Sequence, residues 1–336
     1  MEHSQHNETA TPILHEDNWQ PRPELLHAMR EISTITESDD TAVITDREIS
    51  FANGAQRTTI TASRVDLDTV DGLHISERID IVTPLPEVFT EMTAEQIALA
   101  NTVATTAAIV RDPDEGGAAL VSSVPVFDED TVALKDLYTQ MVANGALLQL
   151  YGPLAAASLF MEAPQMQPDE TGIPAWDQPS YWDEDEFEYA ANRLQQNGYY
   201  CNADASGLTV EFPWEVGACS AMLGDRTSLL RLQADMPHPL AGNGLFFRLD
   251  LPVTLEREQL AEYANYLNVF EASGVDTPPF FGAWCSQLDN GTLTHAGFWP
   301  NCMYKPGTAA NIAFWCFCRS KIARQVIGNR WPPSDG

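Results

Sequence analysis

Between Leu245 and Val253 apolar and polar residues alternate: Leu245, Phe247, Leu249, Leu251 and Val253 fall on one face, Phe246, Arg248, Asp250 and Pro252 on the other. A period of two is that of a half-buried strand. At Thr254 the period changes. Leu260, Tyr263, Ala264, Leu267 and Phe270 then recur at helical spacing, with Glu256 and Glu258 in the first turn, where a helix N-terminus favours negative charge. A weaker copy of this strand and helix occurs earlier. Arg78-Ile-Asp-Ile81 matches Arg248-Leu-Asp-Leu251, and Ala100-Asn101 matches Ala264-Asn265.

Reading outward from these two points gives one element order twice. The first half starts with a helix from Pro21 to Ile35, then strands at Ala42–Phe51, Thr58–Leu67 and Leu73–Val82, parted by the turn dipeptides Asn53-Gly54 and Asp71-Gly72. Thr93 and Gln96 form a capping box that opens a helix running through Ile97, Ala100 and Val103. A hairpin, Ala108–Arg111 and Ala118–Phe127, and a helix from Thr131 to Leu150 complete the half. Pro164, Pro168, Pro174 and Pro179 then interrupt the chain without any apolar period, as a linker does. The second half runs through a helix from Trp182 to Asn197 stopped by Gly198, and strands at Leu208–Val216, Ser228–Ala234 and Leu245–Val253. A helix at 255–272, a hairpin of Phe280–Leu288 and Thr292–Trp299, and a last helix from Thr308 to Ile327 follow. The expected fold is α+β: two tandem α-β-β-β-α-β-β-α domains, each an antiparallel sheet packed by helices. Residues 1–161 form the first repeat, 162–180 a Pro-rich linker and 181–336 the second.

Each half resembles the YbjN-like family and the acidic type III secretion chaperones, which share a fold. The resemblance lies chiefly in Leu245-Phe-Phe-Arg-Leu-Asp-Leu251, the Ala264-Asn-Tyr-Leu-Asn268 helix and the strand Leu293-Thr-His-Ala-Gly-Phe-Trp-Pro-Asn301. The first half matches in outline, with Asn101 but no counterpart of Asn268. The resemblance implies a cytoplasmic protein that binds other proteins and carries no catalytic residues. Because such proteins often pair, it also implies an intramolecular pseudo-dimer.

Charge narrows the choice of partner. The chain carries 18 Lys+Arg against 48 Asp+Glu, a net −30, and the deficit falls on both halves. Nucleic acid and anionic membranes both require a basic footprint, so neither is an expected partner. The N-terminus has neither the basic nor the apolar region of a secretory signal, and no apolar run approaches the ~20 residues that cross a bilayer. The six cysteines all lie beyond residue 200 and include no C-x-x-C, which reads as reduced thiols in a cytoplasm.

The sequence holds no phosphate-binding glycine motif, no G-x-S-x-G and no H-E-x-x-H. Cys285, His295, Cys302, Cys316 and Cys318 cluster in the last three elements, but their spacing suits no finger or knuckle. Across the Asn290-Gly291 turn Cys285 is expected opposite Ala296, with His295 on the other face. They read as core thiols, with no metal and no cofactor. Asn265 and Asn268 share a helix face and are expected to satisfy backbone groups of a neighbouring strand. The acidic run Asp183–Glu188 reads as a solvated first turn, with a basic partner as the other reading.

The aromatics are unevenly placed. Seven of the eight tryptophans lie from Trp176 onward, and the last helix is apolar over most of its circumference, with Trp315 and Cys316 on one stripe and Phe314, Phe317 and Cys318 extending it. Such a helix is either buried between the sheet and the other half or presents a partner surface. The function expected is a non-catalytic protein-binding module, chaperone-like or a regulatory adaptor. The alternatives are an enzyme of unrecognised class and an acidic immunity-type inhibitor of a basic protein. The expected partner site is Trp299 or Trp315 as apolar anchor, with Arg319 and Arg324 at the rim.

Overall fold

Strands dominate the computed structural model, which describes residues 20–21, 23, 26, 43–45, 47–53, 56–68, 74–102, 107–111, 117–127, 180–213, 227–238, 242–253, 256–272, 281–287, 292–301 and 304–330. The helix expected from Pro21 to Ile35 lies almost wholly outside these residues, though Pro23 and Leu26 are helical. The helix expected over Thr131–Leu150 and the linker, apart from Ser180, lie outside them too.

The first repeat contains β1 (Val43–Ile44), β2 (Glu48–Asn53), β3 (Gln56–Asp68), β4 (His74–Pro84), helix α1 (Ala94–Asn101), β5 (Ala108–Arg111) and β6 (Ala118–Phe127). The second contains helix α2 (Glu184–Gln196), β7 (Tyr200–Asp204), β8 (Gly207–Pro213), β9 (Thr227–His238), β10 (Gly242–Leu251), helix α3 (Arg257–Ala272), β11 (Ala283–Gln287), β12 (Thr292–Pro300) and helix α4 (Thr308–Arg330). The first sheet is ordered β1-β2-β3-β4-β6-β5 and the second β7-β8-β9-β10-β12-β11, with every pairing antiparallel. One topology thus occurs twice, in an α+β chain. Among the described residues each repeat has four strands before its middle helix where three were expected. In the second repeat the added strand is β7, an edge strand in which only Cys201 is buried and the exposed Tyr200 obscures the alternation of Cys201 and Ala203 with Asn202 and Asp204.

Alternation sets the core, as the pattern requires. Ile79 and Ile81 of β4, and Leu245, Phe247, Leu249 and Leu251 of β10, are buried, while Arg78, Asp80, Arg248 and Asp250 between them are half-buried. Each such apolar side chain contributes roughly 1.5–3 kcal/mol by leaving water. The two Arg-x-Asp motifs do the same thing in both repeats: Arg78 and Arg248 each donate from Nε to the aspartate two residues on. The Thr93–Gln96 capping box is present, with Thr93 Oγ1 accepting from Gln96 N and Gln96 Oε1 accepting from Thr93 N.

The pairing of the asparagines needs correction. Asn101 Oδ1 accepts from Ile109 N and its Nδ2 donates to Ile109 O, at 2.7 and 3.2 Å. Asn268 makes the same two bonds with Trp284, both at 2.8 Å. Asn101 therefore corresponds to Asn268, not to Asn265. Each asparagine satisfies the open backbone of an edge strand, β5 or β11, which is one way of blunting a sheet edge. The repeats have nevertheless slid relative to each other. Ile109 faces Leu120 and Arg78 faces Pro125, five positions further along β6; Trp284 faces His295 and Arg248 faces Ala296, one position along β12. A four-residue slide preserves which side chains face the core, because the strand period is two.

The repeats meet through their middle helices and these edge strands. α1 packs on α3 and β11, and α3 packs on β5 as well as on its own β11. Hydrogen bonds that cross the junction include Asn265 Nδ2 to Ala94 O at 3.1 Å, and Arg78 Nη2 to Ala272 O at the end of α3. Asn265 thus bonds a helix carbonyl of the other repeat rather than a strand. One buried cluster runs from Ile60 and Ile79 through Ala98 to Leu249 and Leu267, so the core is continuous across both halves. Among the described residues no helix is long and apolar enough to cross a membrane.

Candidate interaction surface

The four residues expected at a partner site fall in three different environments. Trp299 is 1% exposed in β12, its ring 6.0 Å from Phe281 and 5.9 Å from Trp315. It is a core residue, so the expectation of a surface anchor there is corrected. Arg319 is also 1% exposed, so it is not a rim charge: its Nε donates to Glu271 Oε2 at 2.9 Å. Trp315 and Arg324 are half-buried, but nine residues apart they point to opposite sides of α4. The structure brings the two tryptophans together and leaves the two arginines apart. Among the described residues α4 packs on β9, β10, α2 and α3 of its own repeat.

Arg319 belongs to a buried polar cluster. Glu271, on α3, accepts from Arg319 through Oε2 and from Trp284 Nε1 through Oε1 at 2.6 Å, while Asn268 one turn earlier holds the Trp284 backbone. Trp284 is therefore fixed by α3 at three points. His295, opposite Trp284 in β12, is fully buried, edge-on to the indole at 5.2 Å and stacked 6.1 Å from Phe247. Neither of its ring nitrogens has a hydrogen-bond partner. Burial, with the Arg319 charge beside it, holds His295 well below the usual histidine range, so the ring is neutral.

Three of the thiols are held protonated. Burial pushes Cys285 and Cys316 each up to about 12 and Cys201 up to about 11, far from the thiolate that would attack or ligate. Cys285 faces Thr294 rather than Ala296, two residues from the expected register, and so still lies on the opposite face from His295. Among the described residues no three His, Cys, Asp or Glu are placed to hold a metal ion.

The accessible chemistry lies on the other side of the second repeat, where α2 crosses the start of α4. Asp183 caps α2 by accepting from Glu186 N at 3.0 Å, and Gly198 at φ +84° ends it. Phe187, Ala190, Ala191 and Leu194 turn inward. Glu186 turns inward with them, against the expectation of a wholly solvated first turn. Its Oε1 accepts from Ala309 N at 2.9 Å, and its Oε2 from Gly307 N at 2.9 Å and Tyr304 Oη at 3.3 Å. The N-terminus of α4 is thereby capped by a carboxylate from another helix, where the helix dipole favours it. Glu184, Asp185 and Glu188 remain exposed.

That capping contact sets a row of aromatics at the surface. Tyr181 is 48% exposed and stacks on Tyr304 at 5.4 Å; Tyr189 is 49% exposed and lies beside Gly307; Phe314 is 39% exposed. Gly307 immediately precedes α4, and Asn311 and Phe314 form an exposed stripe of that helix ending about 10 Å along it from Gly307. Tyr189 accepts from Arg193 Nη1 at 3.2 Å, with the guanidinium 5.9 Å from its ring centroid. Pattern reading found Phe314 as part of an all-round apolar helix but missed Tyr181 and Tyr189. The available signal was that Tyr189 falls outside the apolar stripe of Phe187, Ala190, Ala191 and Leu194. Comparison of the chain with family models, curated proteins and solved structures finds no match.

Proposed function

We propose that the chain is a non-catalytic, cytoplasmic protein-binding module, chaperone-like or a regulatory adaptor, built as an intramolecular pseudo-dimer, whose partner docks on the α2–α4 face of the second repeat. The observation that carries this is Tyr181, Tyr189 and Phe314, three large aromatics left 39–49% exposed just before α2, on α2 and on α4. Tyrosine and phenylalanine are enriched at the centres of interfaces, where one amphipathic ring supplies much area at little entropic cost. The duplicated topology supports the pseudo-dimer, since α1, α3, β5 and β11 meet as two subunits of such a dimer would. The resemblance of the Leu245–Leu251 strand and the following helix to the YbjN-like and secretion-chaperone families supports protein binding. Three strongly perturbed groups, His295, Cys285 and Cys316, are held neutral by burial and sealed in the core, which supports a non-catalytic reading.

Affinity capture from the native source, comparing the wild type with the Tyr189→Ala/Phe314→Ala double variant, tests the reading. A stoichiometric partner retained by the wild type and lost by the correctly folded variant is the expected result. A partner retained equally by both places the docking site elsewhere.

A further inference from the structure

The three exposed carboxylates of α2 all lie to one side of its exposed tyrosine, Asp185 one turn before Tyr189 and Glu188 and Glu184 further round the helix. Asp185, Glu188, Tyr189 and Asn192 fall on one face at helical spacing, and Glu184 adjoins Glu188 one turn back. The other two acids of the run are already engaged: Asp183 caps α2 and Glu186 caps α4. Glu184, Asp185 and Glu188 pair with no cation among the described residues. Arg193, on the same helix, is taken up by Tyr189. Tyr189 already has a guanidinium beside its ring, so the rings on this face suit cations as well as apolar groups.

Resting on the docking reading above, we propose that this face recognises a basic amphipathic segment of another protein, with Arg or Lys side chains meeting Glu184, Asp185 and Glu188 while apolar side chains cover Tyr181, Tyr189 and Phe314. An acidic or purely apolar segment fits less well. The former meets three unneutralised carboxylates, and the latter leaves them desolvated at the edge of the contact. The net charge of −30 attracts any cation from a distance, but the placing of carboxylates on the flank of α2 next to the exposed rings is local, and only the local part discriminates between partners.

The test uses the full chain and two synthetic 18-residue peptides of one helical pattern, leucine on one face and either arginine or glutamate on the other. Binding is followed by calorimetry at 150 mM salt. The arginine peptide is expected to bind saturably at one site. Tyr189→Ala/Phe314→Ala and Glu184→Gln/Asp185→Asn/Glu188→Gln should each weaken it at least tenfold. The charge-matched control Glu87→Gln/Glu91→Gln/Glu262→Gln, which removes three exposed carboxylates elsewhere, should change it less than twofold. All these positions are at the surface, and an unchanged unfolding midpoint confirms that each variant is folded. Equal weakening by the control triple overturns the proposal, because attraction to the overall charge then explains binding. If the glutamate peptide binds as tightly and with the same dependence on Tyr189 and Phe314, the basic class is wrong while the docking face stands. If neither peptide's binding depends on Tyr189 and Phe314, the face and the partner class both fall.

Discussion

Replacing Arg319 by methionine separates two readings of that residue by the size of the loss. As a surface cation it would contribute little, since changes away from structural features usually stay within about 0.5 kcal/mol. The structure instead pairs it with Glu271 at 2.9 Å, the two side chains being 2% and 0% exposed. At an effective dielectric of about 20 the attraction across that distance is about 6 kcal/mol, and the cost of taking both ions out of water offsets most of it. The pair as a whole is therefore close to neutral for stability. Removing one member is not, because the other stays buried without its counter-charge: Arg319→Met should cost about 3–5 kcal/mol. With a urea slope near 3 kcal/mol/M, the midpoint would fall by about 1–1.7 M. Glu271→Gln/Arg319→Met removes both charges and keeps an amide oxygen for Trp284 Nε1, so its loss should be at least about 2 kcal/mol less than the sum of the single losses. Urea unfolding of the wild type, both single variants and the double variant measures all four corners. Additivity within about 0.5 kcal/mol, or an Arg319→Met midpoint within 0.3 M of wild type (about 1 kcal/mol at that slope), refutes the argument.

Asn268→Leu leaves the buried N–H and C=O of Trp284 unpaired, at about 1–3 kcal/mol each, and Asn101→Leu should cost a similar amount at Ile109; a midpoint shift in one variant only would contradict the equivalence of the two clamps. Gly282 has φ +95°, and a Cβ there would stand 2.4 Å from Ala296 O, so Gly282→Ala should lower the thermal midpoint by several degrees. Native-state alkylation followed by mass spectrometry should leave Cys285 and Cys316 unmodified at pH 8, because burial holds both thiols protonated. His295 and His238 have folded values below the unfolded one, His238 at about 4, so the stability they confer as neutral rings is complete above about pH 6.5 and is lost below it, by up to ~1.4 kcal/mol per pH unit for each ring. His295→Leu should flatten the stability profile between pH 6.5 and 5 by one proton; an unchanged slope would show that the ring is already charged or exposed.

The parts of the fold legible in the sequence are those set by local periodicity. β4 and β10 follow directly from alternation, α1 from its capping box, and the end of α2 from Gly198. What could not be read is what depends on contacts distant in sequence. Matching Ala100-Asn101 with Ala264-Asn265 aligned letters, whereas the function of each asparagine is decided by which edge strand lies across from it. Asn101 ends its helix, while Asn268 stands a full turn before the end of α3, so distance to the helix terminus gave no guide. β7 was hidden for a similar reason. An edge strand with a single buried position, Cys201, has little alternation to display.

The surface of the second repeat was illegible because exposure is a tertiary property, and here it turns on one carboxylate. α4 is apolar nearly all round, so its own sequence does not choose which side faces water. The choice comes from α2, whose Glu186 accepts from Gly307 and Ala309 and fixes where the N-terminus of α4 sits. With that end fixed, the Ala309, Ile312, Ala313, Cys316 and Ala323 stripe turns to the core, and Asn311 and Phe314 turn out on the side where Gly307 lies beside Tyr189. Arg319 follows the inward stripe at i+3 from Cys316, which is why a residue that reads as a rim cation meets Glu271 in the interior. The same acidic run therefore does two jobs with adjacent residues. Asp183 and Glu186 organise the two helices, and Glu184, Asp185 and Glu188, left outside by the helical period, charge the flank of α2 next to the aromatic face.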